Sequence, residues 1–254
     1  VRADMRQGVT LVLDRLHERE PKLGLLCRVL EQEFGHRFQT NCYLTPPHGA
    51  GFTPHWDNHD VFILQVTGSK KWQLETQRRR LPGKTDNMGE EEGREIRAGA
   101  ESFTLKQGDL LYIPRGFVHA AECGDEPSIH ITLGVIPFTW DELLHATVQG
   151  IIQADERLRL ALPPGFMRRS SKHLAENVMT ALAAVADPNV VTSLVDQFKD
   201  EITTRFPLDI AGQVAAYVRK GTLQLDTIVG PRRGIVFNLR RDTDCVRLSY
   251  GGET

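Results

Sequence analysis

The sequence predicts a mainly β fold with α-helices, in which a barrel or double-sheet jelly roll is followed by a helical region. Three observations support this fold class. Between residues 41 and 136, short β-rich runs are punctuated by Gly and Pro, and eight strands at such spacing are typical of a barrel or jelly roll. After Pro137 the apolar residues recur with helical period. Near the C-terminus, residues 234–239 and 245–250 have the pattern of a β-hairpin.

The expected elements follow in chain order. A short strand is predicted at residues 9–13 and a helix at 21–34, where apolar residues stand near helical spacing. Residues 77–100 are rich in Gly and polar residues and predict a long excursion between strands, which is either mobile or functional. The Arg run at 78–80 predicts solvated loop. The eight barrel strands are expected at residues 41–45, 52–57, 61–66, 70–75, 102–105, 110–113, 117–122 and 129–135.

The helical region has a recognisable start. Thr139 and Glu142 have the spacing of a capping box, and two further helices are expected around residues 174–185 and 191–202. Their apolar stripes need cover, either from the barrel or from a second copy of the chain, so a homodimer and intrachain packing both stay open. The expected domains are a catalytic barrel at 1–137, a helical, dimerising region at 138–206 and a winged-helix-like segment at 207–254.

Composition excludes several classes of protein. With 31 basic and 33 acidic residues the formal net charge is −2, which argues against direct nucleic-acid binding through broad electrostatics. The four cysteines show neither CxxC spacing nor a dense framework, so the sequence predicts no zinc site or disulfide scaffold and a reducing, cytoplasmic location. No apolar run approaches the roughly 20 residues that span a bilayer. The chain begins at Val1, so an upstream segment stays open.

One constellation predicts chemistry. His55 and Asp57 alternate onto one face of an extended segment, and His119 follows a Pro-Arg-Gly turn that carries it inward. Two histidines and one carboxylate leave three positions of a metal ion open, as in the non-haem Fe(II) oxygenases. An HxD pair alone often occurs by chance, but the turn-strand-turn pattern of residues 108–119 is cupin-like.

Other polar residues are expected to face the same interior. Lys70 lies on the same face of its strand as the apolar residues Trp72 and Leu74, so its ammonium is expected to point inward. A buried charge needs an anionic partner there, such as a dicarboxylate. The alternative is that Lys70, at the start of its strand, reaches solvent. His130 shares a face with Thr132 and is a second ligand candidate, although a hydrogen-bonding role fits it better. His59, two residues after Asp57, is a further candidate, which could line the substrate entrance or be exposed on the surface.

These segments resemble a known family. Four runs carry the resemblance: Asn-Cys-Tyr-Leu-Thr-Pro from Asn41, Pro-His-Trp-Asp from Pro54, Val-Phe-Ile-Leu-Gln-Val-Thr-Gly-Ser-Lys-Lys-Trp-Gln-Leu from Val61, and Gly-Asp-Leu-Leu-Tyr-Ile-Pro-Arg-Gly-Phe-Val-His from Gly108. In this order, over about residues 8–136, they are similar to the JmjC ribosomal oxygenases of the cupin-like 2-oxoglutarate oxygenase superfamily. The resemblance implies a double-stranded β-helix, a dimerisation region and a C-terminal winged helix.

The resemblance also implies a cofactor and roles for individual residues. It assigns Fe(II) to His55, Asp57 and His119 as the catalytic set, and the distal carboxylate of the co-substrate 2-oxoglutarate to Lys70. Further co-substrate contacts are expected from Asn41, Tyr43, His130 and Thr132. Relatives of this kind hydroxylate histidine or arginine side chains of ribosomal proteins, so a ribosomal protein is the expected substrate.

Two other functions stay open. The chain could hydroxylate a peptide or small molecule, or demethylate N-methyl groups, with the same metal site. It could also be a catalytically silent, metal-binding adaptor that dimerises through its helices. Fold alone does not decide among them.

Overall fold

The computed structural model describes residues 8–49, 51–86, 95–185, 187–207, 224, 226–228, 230, 234–241 and 244–251. The described residues up to Pro137, together with Gly234, form one compact unit, and the remaining described residues from Phe138 onward form a second. The division into three functional domains stays a prediction.

The described residues of the first unit form two antiparallel sheets and one α-helix, α1, at Pro21–Phe34. A five-stranded sheet has the order β1-β2-β8-β3-β6, and a three-stranded sheet has the order β5-β4-β7. This confirms the jelly-roll class that the spacing of strands predicts. The strands are β1 Leu11–Leu13, β2 Arg37–Thr45, β3 Asp60–Thr67, β4 Ser69–Gln77, β5 Glu101–Lys106, β6 Leu110–Ile113, β7 Phe117–Glu122 and β8 Ser128–Ile136.

The core lies between the two sheets. Ile63 on β3 and Ile113 on β6 pack against Trp72 on β4 and Leu105 on β5, so apolar side chains from both inner faces interdigitate. On the five-stranded sheet, Cys27 of α1 forms a second cluster with residues of β2 and β8. The inner face of the barrel is therefore fixed by alternation, which also decides which polar side chains point inward.

Two local predictions are wrong. Residues 52–57, predicted as a strand, form bends with a single β-bridge at His55, because Pro54 has no N–H to donate to a ladder. Arg78, predicted as solvated loop, has a side chain that is only 11% exposed and donates from Nε and Nη2 to the Glu75 carboxylate, each at 2.6 Å. The excursion after β4 is thus tied to the barrel wall at its first residues.

The second unit contains three α-helices and a hairpin among its described residues. These elements are α2 Trp140–Ala154, α3 Ser171–Val185, α4 Pro188–Thr204, β9 Phe237–Arg241 and β10 Val246–Tyr250. The predicted capping box is present at the start of α2, where the Thr139 N–H donates to Glu142 Oε2 at 3.0 Å. The strands of the predicted hairpin pair antiparallel. The rest of the predicted winged-helix segment lies largely outside the described residues.

Among the residues that the structure describes, no single helix has the length and apolar composition to cross a bilayer. Residues 171–183 and 188–204 meet that test only as a bent pair.

Candidate metal centre and cavity

The two histidines of the predicted triad face each other across a backbone bridge. The His119 N–H donates to the His55 carbonyl at 2.8 Å, and the His55 N–H donates to the His119 carbonyl at 3.1 Å. The ring centroids lie 4.5 Å apart. A short antiparallel bridge between the 52–57 segment and β7 therefore replaces the predicted strand and sets the distance between the imidazoles.

Both imidazoles are held in the same tautomer. His55 Nδ1 lies 2.9 Å from the Thr53 carbonyl, and His119 Nδ1 lies 3.1 Å from the Phe117 carbonyl. A carbonyl oxygen only accepts hydrogen bonds, so each Nδ1 must carry the proton. Each Nε2 then keeps its lone pair, which is the arrangement of a metal-binding histidine.

Asp57 completes the cluster. Its Oδ2 lies 3.7 Å from His119 Nε2, and one ligand atom from each of His55, Asp57 and His119 lies within 4.8 Å of the other two. Gly116 fixes this position, since its N–H donates to the Asp57 carbonyl at 2.9 Å. Only glycine fits there, because its φ is +83° and a Cβ would lie 1.9 Å from the Arg79 carbonyl oxygen.

The electrostatics of the cluster favour neutral imidazole. Burial, and next the neighbouring His55, lower the pKa of His119, whereas the Asp57 carboxylate raises it. Because lowering prevails, His119 is neutral at neutral pH and its Nε2 lone pair is available to a cation.

A cavity of about 450 Å³ opens beside the cluster. The structure brings all the predicted site residues to its lining. These are Asn41, Tyr43, His55, Asp57, Lys70, His119, His130 and Thr132. They come from β2, the 52–57 segment, β4, β7 and β8, so residues distant in sequence meet because the inner faces of both sheets line one space.

Lys70 is a buried cation at this cavity. It is 2% exposed, its Nζ donates to Thr45 Oγ1 at 2.9 Å, and burial lowers its pKa to about 8. Within the described ranges, no carboxylate lies within the 4.0 Å of an ion pair with Lys70 Nζ. The prediction that the ammonium points inward is met by this burial, and the alternative that it reaches solvent is not.

An aromatic stack stands next to Lys70. The His130 ring stacks on Tyr43 with centroids 4.7 Å apart and meets Trp72 edge-on at 5.5 Å. Burial, followed by the charge of Lys70, lowers the pKa of His130 to about 3, so this ring is neutral. Its buried Nδ1 has no hydrogen-bond partner among the described residues. His130 lies outside the cluster of three donors, and its hydrogen-bonding role stays a prediction.

The remaining predicted residues, Asn41, Tyr43 and Thr132, differ in their burial and in their hydrogen bonds. Tyr43 is half-buried, and burial raises the pKa of its hydroxyl. Asn41 lines the cavity, but its Oδ1 accepts a hydrogen bond from the Arg15 N–H at 2.9 Å, so part of its amide holds the chain before α1. Thr132 faces inward from β8, opposite Asn41 on β2.

Sequence reasoning missed Thr45. It is fully buried, and besides accepting from Lys70 its hydroxyl lies 3.0 Å from Thr10 Oγ1. The signal was present, because alternation along β2 puts Thr45 on the same face as Asn41 and Tyr43. Gln39 on that face also lines the cavity, as does His59, for which the sequence left both a lining and a surface position open.

Comparison with known proteins agrees with this architecture. The profile of the JmjC domain matches residues 16–143, half of the chain. Ribosomal oxygenase 1 of Rattus norvegicus is 36% identical over 159 residues, which cover 58% of this chain and 26% of that protein. The bifunctional lysine-specific demethylase and histidyl-hydroxylase NO66 of Caenorhabditis elegans is 32% identical over 155 residues, 58% of this chain and 21% of that protein.

A solved structure shares the fold. YcfD, a ribosomal oxygenase from Escherichia coli in complex with cobalt and 2-oxoglutarate, superposes with a TM-score of 0.55 at 18% identity, covering 96% of this chain and 64% of that one. The chain spans about a quarter of the length of the first curated relatives it matches. From the match over half of its length, the chain belongs to the JmjC domain family.

Proposed function

We propose that this chain is an Fe(II)- and 2-oxoglutarate-dependent oxygenase that hydroxylates a side chain of a protein, with ribosomal proteins as the target class. The observation that carries the proposal is that three metal-binding atoms and one buried ammonium line the same cavity. Two histidines and one carboxylate hold one face of a metal ion, and the ammonium offers a charge for the far end of a diacid.

The residues present fit an iron ion. Three donors on one face of a metal ion, each about 2.1 Å from it, lie roughly 3 Å apart. The three donors of the cluster lie within 4.8 Å of one another, so side-chain adjustments of roughly an ångström bring His55 Nε2, His119 Nε2 and an Asp57 oxygen into binding range. Two nitrogens and one oxygen suit Fe(II) and leave coordination positions open.

The residues also fit 2-oxoglutarate. Lys70 Nζ would hold the distal carboxylate, and its neighbour Thr45 keeps the ammonium in place. The free Nδ1 of His130 and the side chains of Tyr43 and Thr132 would make further polar contacts. Iron with this co-substrate and dioxygen supplies the oxidising power that inserts one oxygen atom into a C–H bond. The chain itself orients the co-substrate and keeps the site dry.

The names of the relatives support a protein target. Ribosomal oxygenase 1 and YcfD are named as ribosomal oxygenases, and NO66 is named both a demethylase and a histidyl-hydroxylase. We favour hydroxylation, and the mass of the product separates the two reactions. Hydroxylation adds one oxygen, whereas demethylation removes one methylene.

The experiment combines turnover and mass. Purified protein with Fe(II) and 2-oxoglutarate is incubated with ribosomal proteins from cells that lack this chain, and the proteins are compared by mass spectrometry with those from wild-type cells. We expect one ribosomal protein to gain an oxygen, with matching formation of succinate. Neither product in any fraction, with His55→Ala behaving as wild type, would overturn the proposal.

A homodimer forms part of the proposal. The second unit, which contains α2, α3 and α4 and is named the helical unit, exposes large apolar side chains, including Trp140 and Leu144 on α2 and Val178 and Met179 on α3. Apolar surfaces of this kind often bind another protein. A catalytically silent adaptor would dimerise but take up no iron. Cytoplasmic location and lack of direct nucleic-acid binding are proposed with it, from cysteine usage and net charge.

A further inference from the structure

A fourth histidine of the cavity lining, His59, does not belong to the metal cluster. It lines the same cavity as His55, Asp57 and His119. Within the described residues, however, the converging donors are only His55, Asp57 and His119. His59 therefore stands beside the metal site, where a group that contacts the substrate would be needed.

The residue before it is fixed in one orientation. Asn58 Nδ2 donates to the Lys84 carbonyl at 2.8 Å and to the Asp86 carbonyl at 3.2 Å. Since carbonyl oxygens only accept, the amide nitrogen must be on that side. The Asn58 Oδ1 consequently faces the other way, towards the ring of His59.

This orientation determines the tautomer of His59. The ring Nδ1 lies 3.2 Å from Asn58 Oδ1, an oxygen that only accepts. Nδ1 must therefore carry the proton, and neutral His59 keeps a lone pair on Nε2. No partner of Nε2 is present in the described part of the chain, so this acceptor is free for a ligand in the cavity.

Gly134 makes room for the ring. A Cβ at Gly134 would lie 2.9 Å from His59 Cδ2 and 3.0 Å from His59 Nε2, so the edge of the ring that carries Nε2 lies directly over the glycine. The same Cβ would lie 3.3 Å from Gln39 Cγ, and Gln39 is opposite Gly134 in the β2–β8 register. The His59 ring and the Gln39 side chain thus both lie next to Gly134, where all three residues line the cavity.

We propose that His59 is a specificity-determining residue, whose Nε2 accepts an N–H hydrogen bond from the target side chain and, with the Gln39 amide, orients that side chain beside the metal. This inference rests on the proposed function. It adds that the target side chain must donate from nitrogen, and that Asn58 and Gly134 act as positioning residues for the ring.

The first test needs no substrate. Long-range ¹H–¹⁵N spectra of the protein loaded with diamagnetic Zn(II), at a pH above the ordinary pKa of histidine, report which ring nitrogen of His59 is protonated. We expect the Nδ1–H tautomer in wild type and a mixture in Asn58→Leu. An Nε2–H tautomer in wild type would overturn the proposal.

The second test measures binding of chemically defined probes. Protein loaded with Co(II) and N-oxalylglycine, an inert analogue of the co-substrate, is titrated with two pools of peptides that have random flanks. One pool has Gln, Asn, Arg or His at its centre, and the other has Met or Leu, which match Gln and Asn in shape. We expect wild type to prefer the first pool by about ten-fold or more, as for a site built to hydrogen-bond its ligand.

Variants separate the roles. His59→Phe keeps a ring but removes the acceptor, and Gly134→Ala displaces the ring, so both should lose the preference. Gly124→Ala adds a Cβ with no heavy atom within 4 Å and should keep it. Absence of a preference in wild type, or its survival in His59→Phe, would overturn the inference, and survival in Gly134→Ala would overturn the positioning role of Gly134.

Its failure and that of the proposed function are distinguishable. If Fe(II)-loaded wild type produces succinate but shows no preference between the pools, only the inference on His59 is lost. A preference without any oxidation would instead leave His59 as a binding residue and remove the proposed function.

Discussion

The barrel and the helical unit differ in how far their large apolar side chains are exposed to solvent. In the barrel, Ile113 is 1% exposed and Val61 is 2% exposed, and both belong to a buried cluster with side chains from both sheets. In the helical unit, Trp140 is 76% exposed and Met179 is 66% exposed. The barrel encloses a core of buried apolar side chains, although Phe52 and Leu110 are exposed, whereas the helical unit has large apolar side chains on α2 and α3 that its described residues leave uncovered.

This difference suggests separate roles for the two units: the barrel binds the metal and the diacid, and the helical unit binds another protein chain. The barrel places its inward polar groups against a close-packed wall, which holds them in fixed geometry for a metal and a diacid. The helical unit keeps an apolar surface that is suited to another protein chain. Changes in the barrel should therefore alter metal and co-substrate binding, and changes in the helical unit should leave both unaltered.

The largest expected effect comes from the metal cluster. Asp57→Ala removes the only carboxylate among the three converging donors of the described chain, so we expect metal affinity to fall by more than about a hundred-fold, beyond the loss typical of supporting residues. Calorimetric titration with Co(II) under nitrogen measures it. Trp140→Ala in the helical unit is the control and should bind Co(II) as wild type does. Equal loss in both variants would erase the distinction between the units.

Lys70→Met comes next, because it removes the buried ammonium while keeping the length of the side chain. We expect 2-oxoglutarate to bind about ten- to a hundred-fold more weakly, as for loss of a charged hydrogen bond. Metal binding should be retained, since Lys70 lies outside the cluster. Unchanged co-substrate affinity would show that the distal carboxylate is held elsewhere.

The same variant should be more stable than wild type without co-substrate. Burial lowers the pKa of Lys70 from 10.5 to about 8, so the folded state binds fewer protons than the unfolded state between these values. Burying the protonated ammonium therefore lowers the free energy of unfolding by about 3 kcal/mol below about pH 8. This loss of stability disappears as the pH rises towards 10.5. Urea unfolding at several pH values tests this. A wild type that loses stability over that interval relative to Lys70→Met would contradict the sign.

Thr45→Val should have a smaller effect. It keeps the shape of the side chain but removes the oxygen that accepts from Lys70 Nζ, and an unpartnered buried donor costs about 1–3 kcal/mol. We expect lower stability and several-fold weaker 2-oxoglutarate binding. Thr45→Ser keeps the oxygen and is the matched control. Equal behaviour of the two variants would show that the hydroxyl does not position Lys70.

The smallest expected effect lies in the helical unit. Thr139→Ala disrupts the capping box of α2, which should lower stability by about 1 kcal/mol. Co(II) and 2-oxoglutarate affinities should not change. The variant is measured by thermal unfolding together with both titrations, and a weakened metal site would mean that the barrel depends on this helix.

Much of the barrel could be predicted, because the alternation of apolar and polar residues indicates where the strands lie and which side chains face inward. The strand runs 110–113 and 117–122 are observed at the predicted bounds, and the inward position of Lys70 follows from its neighbours on β4. The segment 52–57 was not predictable in this way, because a missing N–H at Pro54 breaks the ladder. His55 and Asp57 still reach the cluster, since the bridge to β7 and the Gly116 N–H hold them.

The site was predictable in its composition but not in its support. Periodicity indicates which side chains face inward, and so finds Asn41, Tyr43 and Lys70. It does not indicate that backbone carbonyls fix the tautomers of His55 and His119, since these contacts depend on local bends. Apolar periodicity in the helices likewise does not say what covers them.

The central claim is that His55, Asp57 and His119 hold one metal ion while Lys70 holds the far end of a diacid. A crystal structure with Co(II) and 2-oxoglutarate, grown under nitrogen, tests it directly through the anomalous signal of cobalt. We predict one cobalt peak about 2.1 Å from His55 Nε2, His119 Nε2 and an Asp57 oxygen, with the distal carboxylate hydrogen-bonded to Lys70 Nζ. Cobalt bound away from any of these donors, or a diacid that does not contact Lys70, would contradict the account.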